Sequence, residues 1–279
     1  MATLRDYKQC STHGIRLLDI QLISQMLRIS PGCLVSFSGF ERLQLGGGVH
    51  PWLQPAAANA LKEAIAARPG VYLQINSAYR TLAQQLLLWW QFQQRVCKIP
   101  AAAKPGQSNH NSGLALDVED YRGWRPFMES VKWDWIGSFD PPHYDFEGAG
   151  GKDLRAISTK AYQYLYNYNF PTTPITVDGI WGRATEQALF LAPQTGFAKT
   201  PASRSEIEDL AEVYHSRARS MRVGMSGDDI QKLQSMLKIT ANGVFGQATV
   251  DAVKNFQQAE GLVPDGVVGM ATKIALRIA

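Results

Sequence analysis

Hydrophobic positions recur at two different spacings along this chain. Over Leu17–Leu27, Pro55–Ala67 and Ala83–Gln94 apolar residues return every three or four positions, the period of a helix with one buried face. Between them, Val71–Ile75, Leu114–Val118 and His143–Phe146 are short runs that read as strands. Alternation sorts their side chains: Leu114, Leu116 and Val118 point one way, Ala115 and Asp117 the other. Likewise His143 and Asp145 share one face, with Tyr144 and Phe146 opposite. Beyond Gly148 only helical spacing remains, at Leu154–Tyr166 and Ile230–Leu237. The pattern predicts an α+β domain followed by small helical modules, with Gly148-Ala-Gly-Gly-Lys as the break.

The helical part repeats itself. Asp178-Gly-Ile-Trp-Gly-Arg-Ala-Thr-Glu-Gln-Ala-Leu189 returns as Asn242 to Val253 and again as Asp265 to Leu276, sharing [DN]-G-Φ-Φ-G-x-A-T-x-x-A-Φ. The Asp-Gly or Asn-Gly pair makes a turn that needs positive φ, the second Gly allows close backbone approach, and the Thr is placed to cap a helix. The stretch from Ile230 to Leu276 resembles a complete peptidoglycan-binding domain of the three-helix, internally duplicated kind. Leu154 to about Pro193 resembles the front half of another. The expected divisions are 1–149, a catalytic domain; 150–196, a first and partial module; 197–222, a linker with a charged helix over Ser205–Arg219; and 223–279, a second module.

Composition narrows the class. The 279 residues are 45% hydrophobic and 19% charged, as in an ordinary globular protein rather than a disordered or fibrous one. A net charge of +4 is too mild and dispersed to imply nucleic acid, though it favours an anionic polymer. The densest apolar patch, Leu86–Trp90, is far too short for a membrane span. Charges in Met-Ala-Thr-Leu-Arg-Asp-Tyr-Lys stand where a signal peptide needs its apolar stretch, so delivery by lysis, injection or another non-classical route is expected. Cys10, Cys33 and Cys97 are odd in number and widely separated, and free buried thiols are expected.

The candidate chemistry lies in two blocks. Ser108-Asn-His110-Asn-Ser-Gly113-Leu-Ala-Leu-Asp117 offers an imidazole and a carboxylate, and Asp140-Pro-Pro-His143-Tyr-Asp145 a second imidazole with two more carboxylates. Two imidazoles and one carboxylate are what a catalytic zinc needs, with its fourth position open to water. A further carboxylate must then move the proton, and Asp140 is the best placed. Together with Ser77-Ala-Tyr-Arg80-Thr, these blocks resemble the zinc D-Ala-D-Ala carboxypeptidase and L-alanyl-D-glutamate endopeptidase family over roughly Gln44 to Phe146.

That resemblance implies an α+β zinc peptidase domain with a small antiparallel sheet flanked by helices, and one zinc held by His110, Asp117 and His143. It also implies Asp140 as general base and Arg80 as a cation near the scissile carbonyl or substrate carboxylate. Ser108 would support the ligand loop or touch substrate, Asp145 would accept from a ligand imidazole, and Tyr144 would stand beside them. Gln84 reads equally well as a cleft residue or a solvated one, and His50 as a cleft-rim or plain loop histidine. Trp133 and Trp135 read as core or cleft wall, and His13 and His215 carry no assignment. Gly46-Gly-Gly lacks a phosphate-loop pattern and no G-x-S-x-G appears, so nucleophilic catalysis is a poor rival. The expectation is a monomeric zinc hydrolase cutting a stem-peptide amide bond in the cell wall, with peptidoglycan as its partner. The alternatives are a catalytically silent wall-binding protein and a phage-type lysin or injected effector of the same chemistry.

Overall fold

The computed structural model describes residues 2–202 and 221–260, together with 206, 207, 210, 264–268, 272 and 276. The charged helix expected over Ser205–Arg219 therefore lies largely outside the described residues, as does His215. The chain forms two compact units, residues 1–211 and 212–279.

In the first unit the chain runs α1 (Arg16–Ile29), β1 (Val35–Ser36), β2 (Leu43–Leu45), β3 (Trp52–Leu53), α2 (Pro55–Ala67), β4 (Leu73–Ser77) and α3 (Leu82–Gln93). It continues through β5 (Ala115–Val118), α4 (Tyr121–Glu129), β6 (Trp133–Trp135), β7 (His143–Phe146), α5 (Arg155–Asn169) and α6 (Arg183–Phe190). Five strands form one sheet in the order β2-β4-β5-β7-β6. The expected antiparallel pairing holds for β4-β5-β7-β6, while β2 joins β4 in parallel. One face of the sheet carries Leu73, Ile75, Leu116, Val118, Trp133, Tyr144 and Phe146, all buried against α2 and α4 in one apolar core. Proline at the first position of α2 suits it, because its missing N–H would have had no helical partner.

A second core joins α1 and α3 to the first copy of the repeat. Leu4, Leu18, Leu22, Leu82 and Leu86 pack with Tyr162, Leu165, Leu189 and Phe197. Polar contacts reinforce it: Leu4 N donates to Ala192 O at 2.9 Å, and the Gln21 amide both donates to and accepts from the Phe197 backbone. The missing half of the first copy is thus replaced by N-terminal segments from the other end of the unit. The division expected at 149/150 falls inside this unit.

The second unit contains α7 (Asp228–Met236) and α8 (Gln247–Ala259), with Ile230, Leu233, Phe245, Val253, Val268 and Leu276 in its core. All three repeat copies share a device that the motif alone does not reveal. A buried glutamine on the preceding helix reaches into the turn: Gln163, Gln234 and Gln257. In each case Nε2 donates to the Asx side chain, to a carbonyl two residues on and to the motif Thr, at 2.7–3.3 Å. Oε1 accepts from the motif Gly, which sits at φ between 71° and 79° as the turn requires. The second Gly makes no close approach; it is the helix N-cap at Gly182 and Gly246, and the Thr lies inside the first turn, facing the glutamine.

The cysteine expectation is corrected. Cys10 and Cys97 form a disulfide, and only Cys33 is free. The pairing is a long-range contact that residue spacing cannot express. No helix among the described residues is long and apolar enough to cross a membrane.

Candidate metal centre

Strands β5 and β7 bring the candidate donors together by register. Asp117 stands opposite His143, and Ala115 opposite Asp145, so these side chains emerge on the sheet face away from the core. His110 comes from a 3-10 turn over Asn109–Ser112, opened by Ser108, whose Oγ accepts from His110 N at 3.3 Å. The turn closes on Gly113 at φ 67°, where a Cβ would lie 2.6 Å from Leu34 Cδ2 and 3.3 Å from Gln54 N, so only glycine fits. Arg80 N donates to His110 O at 3.0 Å, and the Asn111 side chain donates to Arg80 O at 2.8 Å, stapling the turn to the start of α3. Gln54 then ties it to the segment leading into α5, its Nε2 donating to both Ser112 O and Lys152 O.

Three donor atoms converge: His110 Nε2 to His143 Nδ1 is 3.3 Å, His143 Nδ1 to Asp117 Oδ1 is 3.1 Å, and His110 Nε2 to Asp117 Oδ1 is 3.4 Å. Donors on a tetrahedron with bonds of roughly 2.0–2.1 Å stand about 3.3–3.4 Å apart. The set therefore has the size of one face of a zinc tetrahedron, and it is a group of His and Asp able to hold a metal ion.

The outer contacts orient these donors. His110 Nδ1 lies 2.6 Å from the Ala78 carbonyl, which can only accept, so Nδ1 carries the proton and Nε2 presents a lone pair to the centre. Burial, and then the Arg80 charge, hold His110 down to about 4, keeping it a neutral ligand. His143 Nε2 lies 3.0 Å from Asp145 Oδ1, which fixes its tautomer in the same way. Burial opposes charge on His143 but is outweighed by hydrogen bonds to Asp117 and Asp145, and its pKa is pushed up to about 9. The proton it then holds on Nδ1 occupies the place a cation would take. Burial likewise opposes charge on Asp117, yet the His110 imidazole, the Arg80 guanidinium and the His143 imidazole beside it hold its carboxyl well below the usual range.

The remaining candidates fall into place or out of it. Arg80 donates through Nη2 to Asp117 Oδ2, and through Nε to Ser77 Oγ at 2.7 Å, so its guanidinium braces a ligand. Asp140 borders the centre: its half-buried carboxyl is raised by desolvation and then by the Asp117 charge. Tyr144 is corrected: alternation turns it into the core, where its hydroxyl donates to Tyr121 O. Gln84 is not solvated. It is buried, with Nε2 donating to Thr12 Oγ1 at 2.9 Å and to Gly48 O at 2.8 Å, holding the triple-glycine loop.

His50 lies at neither rim nor loop surface. It is buried, with Nε2 3.0 Å from Asp19 Oδ2. Trp133 is core and Trp135 is half-buried, its Nε1 donating to Pro141 O. Sequence reasoning missed Ala78, which acts through its carbonyl and leaves no side-chain signal. It also missed Asn111, which lay unassigned inside the quoted block.

A mixed sheet presents two imidazoles and a carboxylate, each steadied from behind, in a group that could hold a metal ion. Residues 50–173 match the D-alanyl-D-alanine carboxypeptidase family, a match that runs past Gly148 through α5, and residues 226–276 match a peptidoglycan binding domain. The chain carries both domains, in that order. The spore cortex-lytic enzyme of Bacillus cereus is 45% identical over 56 residues, covering 18% of this chain and 22% of that enzyme. The chain thus spans about a fifth of the length of this curated relative. No solved structure matches the chain.

Proposed function

We propose that the chain is a zinc-dependent peptidoglycan hydrolase that cuts an amide bond of the stem peptide and is held on the wall by its C-terminal module. The observation that carries this reading is the donor set itself, three atoms spaced as on one face of a zinc tetrahedron and each steadied by an outer partner. His110, Asp117 and His143 would hold the ion. Zinc bound there supplies Lewis acidity and a water whose pKa is lowered to roughly 7.

Asp140 takes the proton of the attacking water and returns it to the leaving amine; its raised pKa suits both halves of that exchange. Arg80 holds the second Asp117 oxygen, keeping the first directed at the centre. The wall-binding module raises the local concentration of an insoluble substrate without altering the site. The Cys10–Cys97 disulfide fits an oxidising compartment such as that of the wall.

Metal analysis of the purified chain should find about one zinc. Asp140→Asn should retain that zinc and lose on the order of 10²–10⁴-fold in hydrolysis of purified peptidoglycan. A chain that takes up no zinc, or an Asp140→Asn variant of full activity, sinks the proposal.

A further inference from the structure

Helix α3 carries a surface that the metal centre does not use. Leu82, Leu86 and Leu87 fix one side of the helix in the second core, whereas Trp89, Trp90 and Phe92 fall outside both cores of the first unit and stay partly exposed. The Trp89 and Phe92 ring centroids lie 5.9 Å apart. A lysine stands over each indole: Lys8 Nζ is 5.4 Å from the centre of the Trp90 ring, and Lys104 Nζ is 5.9 Å from that of Trp89. Both lysines are exposed, so apolar rings and charged heads meet at the water boundary.

The turn just past α3 extends the charge. Arg95 N donates to Phe92 O and Val96 N to Gln91 O, both at 3.0 Å, which closes the helix in a Schellman motif. Arg95 takes the left-handed position that glycine fills at less cost, at φ 54°, and Cys97 and Lys98 follow at 60° and 53°. The Cys10–Cys97 disulfide ties this turn to the segment bearing Lys8. Arg95 and Lys98 are exposed, so a backbone that favours glycine instead holds two cations out in water. No acidic residue occurs between Glu63 and Asp117, and Asp6, the only acid before Asp19, accepts from Thr3 N and Oγ1. The surface therefore joins partly exposed aromatic rings to charge of one sign, with Val96 between the cations at 42% exposure.

We infer that this surface docks on an anionic phospholipid bilayer, with Trp89, Trp90 and Val96 at the outer acyl carbons and Lys8, Arg95, Lys98 and Lys104 at the headgroup phosphates. Indoles with one apolar and one wet side, bordered by basic side chains, suit the interface of such a bilayer. A single-stranded nucleic acid would attract the same cations and could stack on the rings, but it offers Val96 no hydrocarbon to enter. Docking here would hold the first unit at a membrane, independently of the wall contact proposed for the second.

The full chain should be sedimented with vesicles of equal parts phosphatidylglycerol and phosphatidylcholine and, separately, of phosphatidylcholine alone. It should bind the anionic vesicles about tenfold more tightly or better, and added salt should weaken that binding. Arg95→Gly combined with Lys98→Gly should fold as the parent does by circular dichroism, because glycine takes these φ values without strain, and should lower the affinity by about tenfold or more. Lys8→Glu and Lys104→Glu, at exposed positions over the indoles, should act in the same direction. Val96→Ser should lower the affinity severalfold with every charge intact. Equal binding to both kinds of vesicle, or unchanged binding by the folded charge variants, overturns the proposal. Tighter binding of a single-stranded oligonucleotide than of the anionic vesicles also overturns it, as does an affinity untouched by Val96→Ser.

Discussion

The first and second copies of the repeat share a turn, a glutamine lock and a following helix, yet they serve different structures. In the second unit Gln234 and Gln257 lock successive turns, and the duplicated halves cover each other. In the first unit Gln163 locks a single turn, and its helices α5 and α6 are covered by α1, α3 and the N-terminal residues instead. The same local code therefore builds either half of a free-standing module or a brace for the metal site. What decides is which apolar surface lies nearby. Gly106 shows how close the brace comes: a Cβ there would lie 3.1 Å from Thr159 Oγ1 and 3.4 Å from Trp181 Cβ, on the segment leading to His110.

Truncation gives the largest contrast. A fragment of residues 1–211 should fold, bind zinc and hydrolyse soluble stem peptide, while losing retention on insoluble wall. A fragment ending at residue 149 should not fold. It loses Tyr162, Leu165, Leu189 and Phe197 from the second core, at roughly 1.5–3 kcal/mol each, against a net stability of about 5–15 kcal/mol. A cooperatively melting 1–149 fragment with zinc bound would show that the first copy is an appendage after all.

The disulfide comes next, because it belongs to the first unit alone. Cys10 and Cys97 close a loop across 87 positions, and Cys10→Ser should cost about 2–4 kcal/mol in the unfolding of that unit. The second unit should melt as before, which calorimetry of the full chain would resolve. A matching drop in both transitions would mean that the units are not independent.

The locks permit the most direct comparison. Gln163→Ala strands the buried Gly179 N–H and removes the donor to the Thr185 hydroxyl, and should cost about 1–3 kcal/mol in the first unit, lowering hydrolysis of soluble peptide near its melting point. Gln234→Ala should leave that activity alone and weaken retention on the wall. Reversed effects would exchange the roles assigned to the two copies.

These contrasts also show what could be read from residues alone. The donor face was legible because alternation is a local rule: Asp117, His143 and Asp145 emerge together once β5 and β7 pair in register. That same rule placed Tyr144 with Phe146 in the core, and grouping it with the site residues set alternation aside. The locks were hidden because Gln163 precedes its Asp by 15 positions whereas Gln234 and Gln257 precede theirs by 8, so aligning the motifs leaves the glutamines out of step. The disulfide, the Asp19–His50 contact and the covering of α5 by α1 all join segments far apart in the chain, where neither periodicity nor spacing carries information.

The smallest effect expected lies where the two domains of the sequence reading were to part. Asp153, just before α5, takes both Nε and Nη2 of Arg155 on its carboxylate and accepts from Ser112 Oγ, beside the His110 turn. The Arg155 hydrogen bonds, ahead of all else, lower its pKa to about 2 from an ordinary 3.8. A carboxyl depressed in the folded state contributes stability that is present above about pH 4 and is lost as pH falls from about 4 to about 2. Because the Asp153 side chain is 58% exposed, screening keeps the contribution below about 1 kcal/mol. Asp153→Asn should therefore lower the melting temperature of the first unit slightly at pH 7 and not at all at pH 2. A loss of several kcal/mol at pH 7 would instead make this junction a main support of the metal site, on a par with the Gln163 lock.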